Sequence, residues 1–308
     1  MVAVVLTQST RTIQAGDLLR LVPGVSGGTI ALITGIYREL VDSLKSIDGV
    51  AVAHLLKLRF KLFWQHINGT FLLFLFSGIL VSVFSLARLL KWILNEHPVY
   101  IWSFFFGLII ASAVLVARSV KNWKTTEYIS LLSGILIMFI LTRFSPAETT
   151  EAYWFVFLAG AIAICAMILP GISGAFILLI LGKYQYILTA LSEFNVPVLI
   201  VFGLGIISGL LSFSRFLSYL LSRYYSVTIA VLAGFIIGSL NKIWPWKETL
   251  TSRINSHGEL VPLLQKNVLP GKYEIITGSD PYLLQAILLM LAGFLVVIVL
   301  DRIGKSVS

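Results

Sequence analysis

Pro23-Gly24-Val25-Ser26-Gly27-Gly28-Thr29-Ile30-Ala31-Leu32-Ile33-Thr34-Gly35-Ile36-Tyr37 and Pro170-Gly171-Ile172-Ser173-Gly174-Ala175-Phe176-Ile177-Leu178-Leu179-Ile180-Leu181-Gly182-Lys183-Tyr184 are two copies of one stretch. At an offset of 147 residues, nine of fifteen positions are identical: Pro, Gly, Ser, Gly, Ile, Leu, Ile, Gly and Tyr. Apolar runs match one another by composition, but a shared P-G-x-S-G frame with Gly and Tyr downstream marks an internal duplication.

The chemistry of the stretch is that of a broken helix. Proline lacks a backbone donor and pushes the residue before it out of the helical region. Glycine permits positive φ and close backbone approach, and Ser26 and Ser173 are placed to cap the helix that restarts. A restarting helix presents unpaired N–H groups and its positive dipole end, which favour an anion. One break alone is equally a kink that lets neighbours pack closely. Two breaks in matching positions of the two halves point to a transporter's binding site.

Composition fixes the solvent. Of the 308 residues 58% are hydrophobic and 12% charged, with a mean hydropathy of +0.94. Soluble domains carry about 25% charged residues, so this is a polytopic membrane protein. The net charge of +9 fits cytoplasmic loops rich in Lys and Arg rather than a nucleic-acid partner. A single cysteine, Cys165, excludes an intramolecular disulfide framework and a Cys-based zinc site. No cleavable signal peptide is expected, because Arg11, Asp17 and Arg20 follow the short apolar start.

Working outward from the first break, residues 1–22 are too charged to span, since a crossing needs about 20 mainly apolar residues. The leg after it ends at Tyr37-Arg38-Glu39. Two short legs around a break predict a re-entrant hairpin over about 12–40, tolerated only where protein or a water-filled cavity surrounds it. Residues 41–69 read as a polar, partly amphipathic connection lying at the interface. Spans are expected near Thr70–Leu90, Pro98–Ala117 and Glu127–Thr142. The pattern restarts with a second hairpin over about 152–190, then spans near Val196–Leu217, Ser226–Leu240 and Tyr282–Leu300. At an offset of 127, Gly78, Ser85 and Arg88 pair with Gly205, Ser212 and Arg215, and Gly107 and Ser112 pair with Gly234 and Ser239. The third helix shows no convincing register.

The expected fold is therefore an all-α polytopic membrane protein with two repeats, 1–145 and 146–308, each a re-entrant hairpin plus three transmembrane helices. An odd number of crossings per repeat makes the topology inverted. One side then collects 14 of the 23 Lys and Arg, which puts both termini in the cytoplasm and residues 242–281 outside as a small cap.

Arg88 and Arg215 each follow a long apolar run at repeat-equivalent places. Either is a snorkelling anchor or a phosphate ligand, whose planar fork suits a bidentate oxyanion. In an inverted repeat Arg88 lies near the outer face, at capture, and Arg215 near the inner face, at release. Asp17 and Glu39 are candidates for a coupling role, with a proton or Na+ as the coupling ion; the alternative for Tyr37-Arg38-Glu39 is an interfacial Tyr with solvated charges. The histidines are scattered, there is no P-loop or Ser-His-Asp constellation, and neither cofactor nor metal is expected.

At the two breaks the sequence resembles the polyprenyl-phosphate transporter family of bacteria and archaea, long known only as a domain of unknown function. Its marks are Pro23-Gly24-Val25-Ser26-Gly27-Gly28-Thr29-Ile30-Ala31 and Ala163-Ile164-Cys165-Ala166-Met167-Ile168-Leu169-Pro170-Gly171-Ile172-Ser173-Gly174. Where the family often carries Asp or Asn three residues before the first Pro, this chain has Arg20, and Asp17 lies one turn earlier. The resemblance implies a multi-pass protein of the cytoplasmic membrane, a flippase and not an enzyme, returning undecaprenyl phosphate or a similar lipid carrier to the inner leaflet. The phosphate site is then expected at Ser26, Gly27, Gly28, Thr29, Ser173, Gly174 and Ala175, with Arg88 and Arg215 nearby. The alternatives are a small-anion carrier or channel using the same helix ends, a lipid phosphatase, and a structural scaffold. Oligomeric state and prenyl chain length are not legible.

Overall fold

The computed structural model describes residues 31–32, 35–144, 149–254 and 260–307, with backbone only at 79–80, 82–91, 95, 252–254, 260–264 and 303–307. From residue 37 on, three short helices follow one another: α1 (Tyr37–Lys45), α2 (Gly49–Leu56) and α3 (Phe60–His66). The connection read as polar and partly amphipathic is thus a run of short helices. Asp48 caps α2, its carboxylate accepting from the Val50 and Ala51 amides at 2.9 and 3.0 Å. Their outer surface is apolar, with Leu56 78% and Leu58 72% exposed.

The long helices α4 (Gly69–Glu96), α5 (Pro98–Arg118) and α6 (Thr125–Leu141) follow. The second half holds α7 (Tyr153–Ile168), α8 (Gly174–Ile180), α9 (Tyr184–Ser192), α10 (Val196–Arg223) and α11 (Tyr225–Ile243). Then come β1 (Lys247–Ile254) and β2 (Leu260–Asn267), α12 (Pro270–Thr277) and α13 (Leu283–Val307). Four helices are long and apolar enough to cross a bilayer among the described residues: Pro98–Arg118, Val196–Arg223, Tyr225–Ile243 and Leu283–Arg302. The 17 residues of α6 span only about 25 Å at 1.5 Å per residue, slightly short of a hydrocarbon core of about 30 Å.

Two departures from the sequence reading concern the outer parts. The 242–281 segment contains an antiparallel β-hairpin with a register irregularity near Thr249 to Ser252, so the all-α expectation misses two strands. Helices α4 and α10 also run further than the apolar stretches, to Glu96 and Arg223. Arg88 and Arg215 therefore lie inside helices rather than at their ends.

Packing runs through glycine. A Cβ on Gly107 of α5 would overlap the Met290 carbonyl of α13, and one on Gly293 would overlap the Phe104 carbonyl. Val99 and Ala286 meet in one buried cluster nearer the start of the same two helices, so α5 and α13 run parallel. The same arrangement joins α6 to α11: a Cβ on Gly134 would lie 2.5 Å from the Val231 carbonyl, and one on Gly234 would overlap the Leu131 carbonyl. A third parallel seam joins α7 to α10, where Gly205 meets Phe157 and Gly209 meets Ala161. Gly134 and Gly293 thus hold matching places in the two third helices, an offset of 159 residues that the sequence reading lacked. The central core lies where α5 and α11 cross, at Phe105, Leu108 and Ile109 against Ile229, Leu232 and Ile236. There Ser112 and Ser239 are buried and bond back to their own helices, at the Leu108 and Ile236 carbonyls (both 2.7 Å). Outward faces are apolar, as at Leu132 and Leu136 of α6 and Leu284 and Leu291 of α13.

Candidate functional site: a broken helix and a basic mouth

The second break is fully described. α7 stops at Ile168, Leu169 turns extended before Pro170, and Gly171 takes φ +81°, where a β-carbon is disfavoured. A Cβ there would also lie 2.9 Å from the Phe235 carbonyl of α11. The chain then folds back along α7. Gly174 is buried, and a Cβ on it would lie 2.8 Å from the Ala163 carbonyl. Further along, Thr149 donates to the Leu181 carbonyl at 2.6 Å, and buried Lys183 donates to the Thr149 carbonyl at 3.1 Å, its ammonium near the Phe155 and Tyr186 rings. Residues 149–183 therefore leave and return on one side of the bundle, after which α9 turns away from α8 by 107°.

Ser173 stands at the N-cap of α8 in an extended conformation, exposed, and its side chain makes no capping bond. The expected serine cap is therefore absent at this break. Gly174 is needed first for α8 to lie against α7, which is the close-packing role. Ala175 is exposed in the first turn. The carbonyl of Ile168, left without a helical donor by the break, accepts from the Tyr37 hydroxyl at 3.3 Å. Tyr37 is only 3% exposed. It is not the interfacial tyrosine of the alternative sequence reading, but a strut from the first half to the second half's break.

Arg215 is exposed and donates to the Leu211 carbonyl of its own helix at 3.2 Å. Nineteen residues beyond the start of α10, it lies about 29 Å along the helix, near one edge of a bilayer core. Arg88 lies in α4, with its side chain outside the described residues. Glu39 is exposed and accepts from the Asn68 amide at 2.9 Å, where Asn68 sits left-handed ahead of α4. Asp17, Ser26, Gly27, Gly28 and Thr29 lie outside the described residues.

The sequence reading missed a cavity of about 330 Å³ beside the second break. Four cations line it: Arg143 after α6, Lys242 of α11, Lys247 of β1 and Lys266 of β2. Phe176, Leu179 and Ile180 of α8 form another wall, so the cavity abuts the returning leg of the hairpin. Its polar floor is pre-ordered: Asn241 donates to the Thr142 hydroxyl at 2.7 Å, and Asn267 donates to the Asn241 carbonyl at 2.6 Å. The Lys242 ammonium lies 4.9 Å from the centre of the Phe176 ring, and the Arg143 guanidinium 4.8 Å from that of Phe139. Lys247 donates to the Lys242 carbonyl at 2.8 Å and rests over Trp102. Burial, with Lys242 close by, pushes the Lys247 pKa down to about 7. Among the described residues no carboxylate lines this cavity. These cations come from three separated parts of the chain, so no local motif could have announced them.

The other end of the bundle is built differently. There Ser218 of α10 donates to Asp42 of α1 at 2.8 Å, Lys45 donates to Ser218 at 3.3 Å, and Arg38 stands 3.8 Å from Asp42.

The chain is thus a multi-pass helical membrane protein with a broken helix packed back on itself beside a basic cavity, a lining that suits an anion. Residues 18–261 match the family described as VCA0040-like, undecaprenyl phosphate translocase-like, and the chain belongs to that family. It is 46% identical over 285 residues, 92% of each chain, to a protein of Vibrio cholerae serotype O1 (strain ATCC 39315 / El Tor Inaba N16961) named polyprenyl-phosphate transporter. A second relative of that name, from Staphylococcus aureus (strain NCTC 8325 / PS 47), is 33% identical over 244 residues, 73% of this chain and 81% of the relative. No solved structure gives a significant match.

Proposed function

We propose that this protein carries undecaprenyl phosphate, or a similar polyprenyl phosphate, from the outer to the inner leaflet of a bacterial cytoplasmic membrane, returning the carrier for envelope biogenesis. The observation that carries this reading is the likeness over 92% of the chain to a relative named polyprenyl-phosphate transporter. The paired breaks give it chemistry. A phosphomonoester bears about −1.5 to −2 charge at neutral pH, and even one charge costs several kcal/mol at the bilayer centre. Backbone amides at the two restarting helices, at Ser26 to Thr29 and Ser173 to Ala175, with Arg88 on one side and Arg215 on the other, lower that barrier. The prenyl tail stays in lipid, so only a lateral slot is required.

In this reading the halves are inverted repeats with both termini cytoplasmic and the β-hairpin outside, and Asp17 or Glu39 carries a coupling proton or Na+. Three observations support the inversion. The second helix of each half packs parallel to the third helix of the other, the seam glycines match, and residues 149–183 return to the side they left. The direct test is sided proteoliposomes supplied with a prenyl phosphate on the β-hairpin face. Delivery to the opposite leaflet, with prenyl pyrophosphate handled poorly, is expected. Uptake of soluble phosphate without prenyl phosphate transport would replace this reading with a small-anion carrier.

A further inference from the structure

We propose that the basic cavity between α6, α8, α11 and the β-hairpin is the reception site for the phosphate headgroup, and that the prenyl chain leaves it along the outer face of α6. This rests on the transporter reading and gives it a location that neither break supplies.

Four observations converge. The charge is one-sided: Arg143, Lys242, Lys247 and Lys266 face a common space that no described carboxylate shares. The charge is also unspent, because the side chains of Arg143, Lys242 and Lys266 make no hydrogen bond or ion pair with any described residue. Two of these cations lie instead over aromatic rings, which hold a cation in place without neutralising it. A phosphate with three oxygens can accept from several such donors, and charge-assisted bonds to it are stronger than neutral ones.

The rim gives the second half of the argument. Phe144 lines the cavity and is 57% exposed, and one turn earlier on α6 Ile140 is 47% and Leu136 59% exposed. An apolar strip thus runs from the mouth down the side of the bundle. A free phosphate needs no such strip, whereas a phosphate on an isoprenoid chain does. The wall at Phe176, Leu179 and Ile180 belongs to α8, so a headgroup held here touches the hairpin leg that follows the break. Lys242 contacts Phe176 directly. Any movement of the hairpin therefore alters the cavity, which couples reception to the next step.

The experiment uses the full chain in lipid nanodiscs, with undecaprenyl phosphate, inorganic phosphate and undecaprenol as three separate probes. The wild type should bind the first tightly, the second weakly and the third weakly. Arg143→Gln and Lys266→Gln, both at exposed positions, should leave thermal unfolding in place. Each should weaken both phosphate probes about ten- to a hundredfold and spare undecaprenol. Lys242→Gln should do the same, and Lys242→Arg should restore most of the affinity. Ile140→Gln should weaken undecaprenyl phosphate severalfold and spare inorganic phosphate. Wild-type affinity for undecaprenyl phosphate in Arg143→Gln and Lys266→Gln alike would overturn the site while leaving the transporter reading intact. If equal losses of both phosphates follow Ile140→Gln, the cavity takes free phosphate and the tail path is wrong. A wild-type protein that neither binds nor moves prenyl phosphate would overturn both readings together.

Discussion

At the β-hairpin end of the bundle Arg143, Lys242 and Lys266 stand without an anionic partner among the described residues, whereas at the α1 end Arg38 and Lys45 are tied to Asp42 and Ser218. Both ends are basic, but only at the first do cations from three parts of the chain line one cavity without a described carboxylate. Cations gathered on one cavity hold an arriving anion. At the second end Asp42 stands among the cations, bound to Arg38 and Ser218, and opposes one. Under the proposed function this asymmetry favours uptake at the first end and departure at the second.

The largest expected effect comes from moving the wall shared by the break and the basic mouth. Gly174→Leu forces a side chain against the Ala163 carbonyl and should push α8 off α7, abolishing headgroup binding. Gly203→Leu meets nothing within 4 Å and should bind normally. Titration of both variants with undecaprenyl phosphate checks this, and normal binding in Gly174→Leu would detach the break from the mouth.

Next is pH. Lys247, with its pKa pushed down to about 7, is charged below that value and neutral above it. The groups facing it are Lys242 of α11, Lys266 of β2, Glu248 beside it and Tyr273 of α12, with the Trp102 ring of α5 beneath its ammonium. Binding should weaken about tenfold from pH 7 to pH 9 as one charge-assisted contact is lost. It should weaken again below about pH 6, where the phosphate dianion takes up a proton and falls to a single negative charge. Lys247→Arg should flatten the alkaline limb alone, and an unchanged limb would remove Lys247 from the site.

Tyr37→Phe strips the Ile168 carbonyl of its donor. Leaving a buried acceptor unsatisfied costs about 1–3 kcal/mol, to be read as a lower unfolding midpoint in detergent. Headgroup affinity at the mouth should stay within a few-fold. An unshifted midpoint would mean that the two halves are not joined there.

The smallest effect is expected at the α1 end. Asp42→Asn frees Arg38 of its carboxylate, but an exposed ion pair contributes only about 0–1 kcal/mol, so stability should hardly move. Release of undecaprenyl phosphate at that end should slow, because the variant makes the second end more like the first. An unaltered release rate would show that partnering of these cations is irrelevant to transport.

The sequence revealed what is written locally and twice. The P-G-x-S-G frame located the second break, and apolar runs located the long helices, with their ends placed up to seven residues short. Helix ends beyond the apolar stretch were missed because α4 and α10 continue through polar positions. The third-helix register escaped because only scattered positions repeat, Leu132, Gly134 and Leu136 against Leu291, Gly293 and Leu295. Much of both helices faces outward, as at Leu132, Leu136 and Leu291, and lipid accepts many apolar side chains. The β-hairpin was obscured by its Pro, Gly and Ser, although Thr-rich Lys247–Ile254 and Leu260–Asn267 flank a short polar stretch, a recognisable signal. The basic cavity was beyond reach. Residues 143, 242, 247 and 266 meet only once α6 and α11 are zipped and the β-hairpin folds back.

The glycine seams also set an order of assembly at the ribosome. α5 emerges early, yet Gly107 has no partner until α13 delivers Met290 and Gly293. α6 likewise waits for α11, which supplies Val231 and Gly234. The first half therefore enters the membrane with two small-residue grooves open to lipid, and each closes only when the second half arrives. A nascent chain cut short before residue 283 would leave the α5 groove permanently unfilled. Closure of the bundle thus waits for α13.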